Sequence, residues 1–296
     1  MLPFYFLCAL PLPWLIYRTN RFFSRRALNN ATPASFDWNK EIVVITGGSN
    51  GIGAATARLL AGRKTTVVIL DILPLSFDPP ENLHYYRCDI TQYADLQAAA
   101  EIIRREVGAP TCVIANAGIC RGRPLLQATE RDVEQIFSVN SLGLIWTIKT
   151  FVPDMVSRNH GHLVIMASQT AHLATAGITA YAATKSAALA VYEGVHTELR
   201  HHAATAARAV RVSCVAPSAV STAMFAGIQM PPGIELLSAE AVAEGVAQVV
   251  WSGESQNVSI PSSSGMSAWM RALPDWTRVA LQDFGKDVMK NLTVTR

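Results

Sequence analysis

The chain has 296 residues, which is enough for one large domain or two small ones with a sizeable buried core. Its formal net charge is only +3 and it contains no long basic run, so the sequence excludes nucleic acid as an expected partner. Only 16% of its residues are charged and its mean hydropathy is +0.22, which predicts that part of the chain does not face water.

The amino-terminal segment, residues 1–26, differs from the rest of the chain. Its first seventeen residues carry no charge, and arginines follow at positions 18, 21, 25 and 26. A secretory signal carries its positive charge before the apolar run, so this order argues against one. The segment is short for a straight transmembrane helix, and prolines interrupt it. We predict a membrane anchor, which is either a short membrane-spanning segment or a segment that lies in one leaflet, with the rest of the chain on the cytosolic side. The alternative is a disordered or core-docked leader.

The chain beyond this anchor alternates short apolar runs with helical patterns. Residues 27–40 are polar and are predicted to form a linker. The apolar runs, rich in β-branched residues, fall at 41–46, 65–71, 83–89, 111–118, 161–168 and 210–217, with a possible last strand at 257–261. Helical patterns fall at 51–62, 91–107, 129–158, 178–203 and 238–251. This alternation predicts an α/β fold with a Rossmann-type, doubly wound parallel sheet, forming a single domain over residues 41–263.

The carboxyl-terminal extension, residues 264–296, is amphipathic and contains two tryptophans. It is compatible with closing over a site, with packing on the body of the domain, or with touching a membrane. The sequence does not choose among these three placements.

The cysteines predict neither a disulfide framework nor a zinc site. Their number is odd, and none forms a Cys-x-x-Cys pair. The scattered positions are Cys8, Cys88, Cys112, Cys120 and Cys214. We expect reduced core thiols, a cytosol-facing protein and no metal.

A glycine-rich turn, "TGGSNGIG" at residues 46–53, follows the first predicted strand and opens the first predicted helix. Glycines there let the backbone approach a pyrophosphate, and the helix N-terminus supplies N–H donors. The residues predicted to contact a dinucleotide at this turn are Gly47, Ser49, Asn50, Gly51, Ile52 and Gly53.

Asp71 ends the second apolar run, roughly 20 residues beyond the glycine turn. A carboxylate at this place accepts hydrogen bonds from the adenosine ribose of NAD and repels the extra phosphate of NADP. Asn50 adds no positive charge that would favour that phosphate. We therefore predict NAD(H) in preference to NADP(H); an ordinary loop or helix-capping aspartate is the alternative.

Further motifs make the chain resemble the short-chain dehydrogenase/reductase family over about residues 40–260. The Thr-Gly-x-x-x-Gly-x-Gly pattern is met at 46–53, and the Tyr-x-x-x-Lys pair is met by Tyr181 and Lys185. Ser168 lies thirteen residues before the tyrosine, and Asn140 stands in "SVNSLG". The resemblance implies that Asn140, Ser168, Tyr181 and Lys185 are the catalytic tetrad.

The same resemblance implies further cofactor contacts, with two departures from the family pattern. Ala115 replaces the first asparagine of the Asn-Asn-Ala-Gly element, and Ser218 stands where the family has glycine after Pro217. The implied contacts are Asp89, Ile90, Asn116, Ala117, Gly118, Tyr181, Lys185, Pro217, Val220 and Thr222.

The i, i+4 spacing of Tyr181 and Lys185 places both side chains on one helix face. A free tyrosine has a pKa of about 10, and a close ammonium group favours the phenolate and lowers that pKa. By resemblance, Tyr181 exchanges the proton with the substrate oxygen, Ser168 hydrogen-bonds that oxygen, and Lys185 also binds the nicotinamide ribose. Asn140 is implied to hold a water that links Lys185 to solvent.

The segment after the sixth strand, residues 218–237, is predicted to be a substrate lid with an apolar lining; a loop that merely packs on the core is the alternative. The lid residues are Met224, Phe225, Ile228 and Met230. With the anchor, they predict a lipophilic alcohol or carbonyl substrate drawn from a membrane. The combination resembles the retinol and 17β-hydroxysteroid dehydrogenase branch and implies a location on the endoplasmic reticulum or lipid droplets.

Two other functions and one assembly are also expected from the sequence. The enzyme alternative is a ketoreductase of a polyketide or similar secondary metabolite. The alternative from another class is a non-catalytic scaffold that binds nucleotide or a lipid surface. By resemblance we expect a homodimer or tetramer, paired through the long helices near 129–158 and 178–203.

Overall fold

The computed structural model describes residues 11–201, 207–231 and 235–292. Its centre is a seven-stranded, all-parallel sheet with strand order β3-β2-β1-β4-β5-β6-β7. The strands are β1 (Ile42–Thr46), β2 (Thr66–Asp71), β3 (Leu83–Arg87), β4 (Cys112–Ala115), β5 (His162–Met166), β6 (Arg211–Pro217) and β7 (Asn257–Ile260). The predicted doubly wound parallel fold is confirmed, and the strand order reverses between β1 and β4.

Helices cover both faces of the sheet. The described helices are α1 (Pro11–Leu28), α2 (Gly51–Gly62), α3 (Tyr93–Glu106), α4 (Glu130–Phe137), α5 (Gly143–Arg158), α6 (Thr179–His201), α7 (Ala239–Ser252) and α8 (Asp275–Phe284). A π-helical turn, Ser138–Leu142, joins α4 to α5. Two 3₁₀ segments, Ala223–Phe225 and Ser262–Ala272, lie in the lid and after β7.

The core forms two layers because successive strand residues point to opposite faces of the sheet. Val44 and Val68 pack with α3, α5 and α6 on one face. Val43, Ile45 and Val67 pack with α2 and α7 on the other. Burial on both faces explains why the strands are continuous apolar runs.

The amino-terminal helix lies at the edge of the sheet where the strands begin. Arg25 pairs with Glu254, and Asn29 hydrogen-bonds the backbone of Ser255 just before β7. The guanidinium group of the buried Arg211 donates to the carbonyl oxygen of Asn29 at 3.0 Å and to that of Thr32 at 2.5 Å. Residues 25–32 are thereby fixed to the domain.

The predicted anchor is only partly described, because residues 1–10 lie outside the described residues. Within α1, apolar side chains lie in solvent, with exposures between 55% and 61% for Trp14, Leu15, Ile16, Phe22 and Phe23. Among the described helices, one stretch, Glu130–Arg158, is long and apolar enough to cross a bilayer, but half of it is buried inside the protein. That stretch packs on the sheet as α4 and α5, so it is not evidence for a membrane-spanning helix.

Candidate active site

The turn after β1 has no room for a side chain at Gly47 or Gly53. Gly47 has a φ of 65°, in the left-handed region that favours glycine, and a Cβ there would lie 2.7 Å from the Cα of Ala117. A Cβ on Gly53 would overlap the carbonyl oxygen of Gly47. At Gly51, which has a φ of 56° and lines the cleft, the nearest atom would be 3.6 Å away, on Thr222, an ordinary contact. The backbone is therefore packed on one side and accessible on the other.

The amino-terminal end of α2 faces the same space. Asn50 holds the N-cap position in an extended conformation, and its side chain makes no capping hydrogen bond within the described chain. The first N–H groups of α2 therefore remain available at the positive end of the helix dipole. Asn50 and Ile52 line the cleft, whereas Ser49 is buried and donates to the carbonyl oxygen of Leu73 at 2.8 Å. This end of the helix suits a pyrophosphate.

Asp71, the last residue of β2, is fixed at the rim of the cleft. Its Oδ2 accepts a hydrogen bond from the backbone N–H of Ser49 and its Oδ1 accepts one from that of Leu73, both at 3.0 Å. Each carboxylate oxygen has a further lone pair, so both can still accept from a ribose hydroxyl. The carboxylate also places negative charge where a second phosphate would lie.

Asp89 and Ile90 line the cleft beyond β3. The Oδ1 of Asp89 accepts from the backbone N–H of Thr91 at 3.0 Å and from its hydroxyl at 2.8 Å. These bonds fix the carboxylate in the cleft lining, next to Ile90. An acceptor beside an apolar side chain suits an adenine ring with its amino group.

Residues 116–118 connect the glycine turn to the centre of the cleft. The side chain of Asn116 donates to the carbonyl oxygens of Thr46 and Gly47 at 3.0 and 2.9 Å. The hydroxyl of Thr46 accepts from the backbone N–H groups of Asn116 and Ala117. A Cβ on Gly118 would lie 3.4 Å from the Oδ1 of Asn140 and 3.6 Å from the Nζ of Lys185, so this glycine lies directly beside both side chains. Thr46, which the sequence analysis used only as part of the motif, therefore holds the two loops together.

Ser168, Tyr181 and Lys185 meet in the cleft although they come from separate elements. Ser168 follows β5, and the other two lie one turn apart on α6. The Nζ of Lys185 donates to the carbonyl oxygen of Met166 at 2.8 Å and lies 5.7 Å from the centre of the Tyr181 ring. The hydroxyl of Ser168 accepts from the N–H and the hydroxyl of Thr170, at 3.2 and 3.0 Å. It therefore keeps its own proton to donate.

Asn140 lies behind these residues, in the π-helical turn between α4 and α5. Its Oδ1 accepts from the backbone N–H of Ile119 at 2.8 Å, and its Nδ2 donates to the carbonyl oxygen of Ile119 at 2.9 Å and to the hydroxyl of Thr184 at 3.0 Å. Both polar ends of the side chain are thus used on protein groups. Thr184, which sequence reasoning missed, links Asn140 to the helix that carries Tyr181 and Lys185.

Burial shifts the acidity of both titratable groups. Desolvation raises the pKa of Tyr181, and a hydrogen bond with Ser168 acts in the opposite direction. Desolvation also lowers the pKa of Lys185 to about 8. The sequence predicted a lowered tyrosine pKa; in the structure the loss of water around the phenol is the largest influence, and the pKa is raised.

The cleft that contains these groups has a volume of about 370 Å³ and a mostly apolar lining. The predicted residues that line it are Gly47, Asn50, Gly51, Ile52, Asp71, Asp89, Ile90, Asn116, Ala117, Gly118, Ser168, Tyr181, Lys185, Pro217, Val220, Thr222, Met224 and Phe225. Ser49, Gly53 and Asn140 stand behind that lining as supports. The functional roles of the lining residues and of these three residues stay predictions.

The lid lies over the tyrosine. Phe225 meets the ring of Tyr181 edge to face, with ring centres 5.8 Å apart. Met224 and Ile228 pack in the same apolar cluster, whereas Met230 is half-buried and is not among the residues that line the cleft. Residues 232–234 of the lid lie outside the described residues.

The carboxyl-terminal segment supplies two further residues that the sequence did not single out. Met289 lines the cleft, and Leu292 packs with it in the cluster that contains Tyr181. Of the three placements left open, this part of the extension lies over the site. The only signal in the sequence was its amphipathic pattern.

The donor groups for a metal are not assembled in the described parts of the chain, where no three His, Cys, Asp or Glu side chains cluster suitably. The described cysteines, Cys88, Cys112, Cys120 and Cys214, are buried free thiols. Burial raises the pKa of Cys120, beside the tyrosine, to about 12, so it stays a thiol near neutral pH.

Residues 41–231 match the family described as short chain dehydrogenase. Dehydrogenase RED2 of Cochliobolus heterostrophus is 40% identical over 179 residues, which cover 60% of this chain and 68% of that protein. Estradiol 17-beta-dehydrogenase 11 of Mus musculus is 32% identical over 234 residues, covering 75% of this chain and 76% of the relative. Retinol dehydrogenase 10-A of Danio rerio is 30% identical over 226 residues, covering 66% of each. These relatives confirm the predicted resemblance to the retinol and 17β-hydroxysteroid dehydrogenase branch.

Solved structures agree with the fold. A short chain dehydrogenase from Burkholderia cenocepacia, in complex with NADP, has a TM-score of 0.69 at 25% identity and covers 82% of this chain and 98% of its own. A short-chain dehydrogenase from Streptomyces avermitilis has a TM-score of 0.68 at 20% identity, with coverage of 82% and 96%. The second likeness bears on the fold alone.

Proposed function

The chain belongs to the short-chain dehydrogenase family, and we propose that it interconverts a lipophilic alcohol and its carbonyl compound with NAD(H), using Tyr181 to transfer the proton. As a family member it is an oxidoreductase that acts on CH–OH groups and binds a nicotinamide cofactor. The observation that carries the finer proposal is that Ser168, Tyr181 and Lys185 line one apolar cleft together with the glycine turn.

The cleft fits a dinucleotide because its turn excludes side chains and leaves helix N–H groups available. When bound, the cofactor supplies the acceptor or donor of the hydride. The backbone at Gly51 and Ile52 would hold the pyrophosphate, and Asp71 the adenosine ribose. The remaining contacts would come from Asp89 and Ile90 at the adenine and from Asn116, Ala117, Gly118, Pro217, Val220 and Thr222 toward the nicotinamide.

Three side chains divide the proton chemistry. Tyr181 takes the proton from the substrate hydroxyl in oxidation and returns it to the substrate oxygen in reduction. Ser168 donates its hydrogen bond to that oxygen and stabilises its developing charge. Lys185, held by Met166, is the buried cation beside the phenol, and it favours the phenolate. Asn140 holds the loop at Ile119 beside the lysine, and its expected water relay to solvent remains part of this proposal.

A preference for NAD(H) over NADP(H) is supported by the position of Asp71. Its carboxylate is fixed at the cleft rim, and the neighbouring lining residues Ile72 and Leu73 carry no positive charge. A phosphate on the adenosine ribose would therefore meet a negative charge without a nearby compensating cation from these residues.

A lipophilic substrate is supported by the lid and by the names of the relatives. Met224 and Phe225 give the cleft an apolar wall over Tyr181. Relatives are named as estradiol and retinol dehydrogenases. We propose that this chain acts on a retinoid-, steroid- or fatty-alcohol-like substrate.

Membrane association through the amino terminus is supported by α1. Trp14, Ile16 and Phe23 are exposed on this helix, and the arginines that follow suit the negatively charged cytosolic face of a membrane. We propose attachment to the endoplasmic reticulum or lipid droplets with the catalytic domain in the cytosol. We also propose a homodimer or tetramer, since Phe137 and Leu142 on the outer side of the α4–α5 pair are exposed.

The substrate class is tested by measuring NADH formation with detergent-solubilised protein and two matched panels of alcohols. One panel contains retinoid, steroid and long-chain alcohols, and the other contains small polar alcohols. Turnover confined to the lipophilic panel supports the proposal. Turnover confined to polar, water-soluble substrates would overturn it.

A further inference from the structure

The last described turns of the chain close the substrate side of the cleft. Met289 and Leu292, each 8% exposed, share an apolar cluster with Tyr181 and Phe225. Met289 also lines the cleft itself. The match to the family ends at residue 231, so these positions lie beyond the part of the chain that carries the family motifs.

The segment 285–292, called the tail here, contacts three loops at the carboxyl edge of the sheet. The backbone N–H of Gln229 in the lid donates to the carbonyl oxygen of Val288 at 3.1 Å. A Cβ on Gly177, in the loop after β5, would lie 3.3 Å from the Cβ of Met289. A Cβ on Gly122, in the loop after β4, would lie 2.6 Å from the Cδ2 of Leu292. The tail therefore bridges the loops that surround the substrate side of Tyr181.

The residues before the tail hold it to the body of the domain. Arg271 donates to the carbonyl oxygens of Ala171 and His172 at 2.8 and 3.0 Å. Gln282 donates to the carbonyl oxygen of Ala174 at 3.0 Å. Since these acceptors lie in the loop that begins at Ser168, the tail is held to the same loop as that serine.

We propose that Met289 is a specificity-determining residue, whose side chain limits the size of the apolar group that a substrate places beside Tyr181. This inference rests on the proposed function. The cofactor side of the cleft is formed by the glycine turn and residues 116–118, so the substrate lies between that side and the wall made by the lid and the tail. Met289 is the described tail residue that lines this space, and its side chain packs with Tyr181 and Phe225. A change of one methylene in such a pocket alters selectivity by about 10- to 200-fold.

The test compares Met289→Ala and Met289→Trp with the wild type, with Lys290→Ala as the control. Lys290 is exposed in the same turn of the tail. Binding of 2-pentanone and 2-decanone to the NADH-loaded full chain is measured by calorimetry, so the result does not depend on turnover. We expect Met289→Ala to raise the affinity for the long ketone relative to the short one by about tenfold and Met289→Trp to lower it by a similar factor. Lys290→Ala and NADH binding should be unchanged.

A second variant keeps the inference testable if the Met289 variants fold poorly. Gly122→Ala displaces Leu292 from the opposite side of the tail and should also change the ratio of the two affinities. Equal ratios in all variants, with NADH still bound, would overturn the inference while leaving the proposed function intact. Failure of the wild type to bind either ketone would overturn both the inference and the lipophilic substrate class. Binding without any turnover would contradict only the proposed catalysis.

Discussion

The ammonium group of Lys185 donates to the carbonyl oxygen of Met166 at 2.8 Å, which ties α6 to the end of β5. Both side chains lie away from water, and desolvation lowers the pKa of the lysine to about 8. Desolvation also raises the pKa of Tyr181. The bond to Met166 therefore holds the Lys185 ammonium group as a buried cation, 5.7 Å from the centre of the Tyr181 ring.

A methyl group added at the most crowded position of the glycine turn should weaken the binding of NADH. In Gly53→Ala the new Cβ would overlap the carbonyl oxygen of Gly47, and the turn must shift to admit it. We expect NADH to bind about tenfold or more weakly, as measured by fluorescence titration. Gly62→Ala, at the open end of the same helix, is the matched control and should bind NADH normally. Equal affinities in the two variants would contradict the assignment of the turn.

The choice between the two nicotinamide cofactors should depend on the charge of Asp71. Asp71→Asn removes the charge that repels a phosphate and keeps one acceptor oxygen, so one of the Ser49 and Leu73 N–H groups loses its partner. We expect the ratio of kcat/KM for NAD to that for NADP to fall by about tenfold. Asp78→Asn, on an exposed loop, should leave the ratio unchanged. A wild type that already prefers NADP would show the assignment to be wrong.

The buried His162 should make the fold sensitive to acid. Desolvation lowers its pKa to about 3, and its Nε2 lies 2.8 Å from the hydroxyl of Ser213. Between about pH 3 and the unfolded value near 6.5, the unfolded chain binds more protons at this residue than the folded chain does. Stability is therefore lost as the pH falls through this window, by up to about 1.4 kcal/mol per pH unit.

His162→Leu should therefore lose less stability than the wild type when urea unfolding is followed at pH 7, 6 and 5 by circular dichroism. His84→Leu, at a partly exposed position on β3, is the control and should keep the wild-type slope. A His162→Leu slope that equals the wild-type slope would show that the buried imidazole does not govern acid unfolding.

The exposed face of α1 should bind membranes. Replacing Ile16, Phe22 and Phe23 together by serine removes three side chains that are each 61% exposed, so the fold should not change. We expect sedimentation with phosphatidylcholine–phosphatidylserine vesicles to fall clearly, because apolar burial and arginine attraction both contribute to binding. Leu125→Ser with Leu126→Ser, also exposed, should not reduce it. Equal vesicle binding in both variants would remove this support for the anchor.

Much of the fold could be predicted from the sequence because the relevant signals are local. The apolar runs at 42–46 and 66–71 form β1 and β2, and the glycine turn between β1 and α2 appears where its spacing placed it. Parallel strands buried on both faces leave few alternatives for such a pattern.

The rest depends on contacts between distant segments. The amphipathic pattern of residues 264–296 fitted three placements, and they are distinguished by long-range contacts: Met289 packs in the Tyr181 cluster, and Arg271 and Gln282 bond the loop after β5. Sequence reasoning did not single out His162 or Arg211, yet both are buried, and Arg211 donates to the carbonyl oxygens of residues before β1. The raised pKa of Tyr181 was also unforeseen, because a spacing of four residues reveals the neighbouring lysine but not the loss of water.

The proposed function is tested most directly by comparing Tyr181→Phe with Tyr192→Phe in the NAD-dependent oxidation of lipophilic alcohols, after NADH binding has been measured for both variants. The two tyrosines are buried on the same helix, and each variant removes one hydroxyl. We predict that Tyr181→Phe lowers kcat by roughly a hundredfold to ten-thousandfold with NADH binding retained, whereas Tyr192→Phe stays near the wild type. A Tyr181→Phe enzyme that turns over as fast as Tyr192→Phe would contradict the role of Tyr181 as the proton-transferring residue.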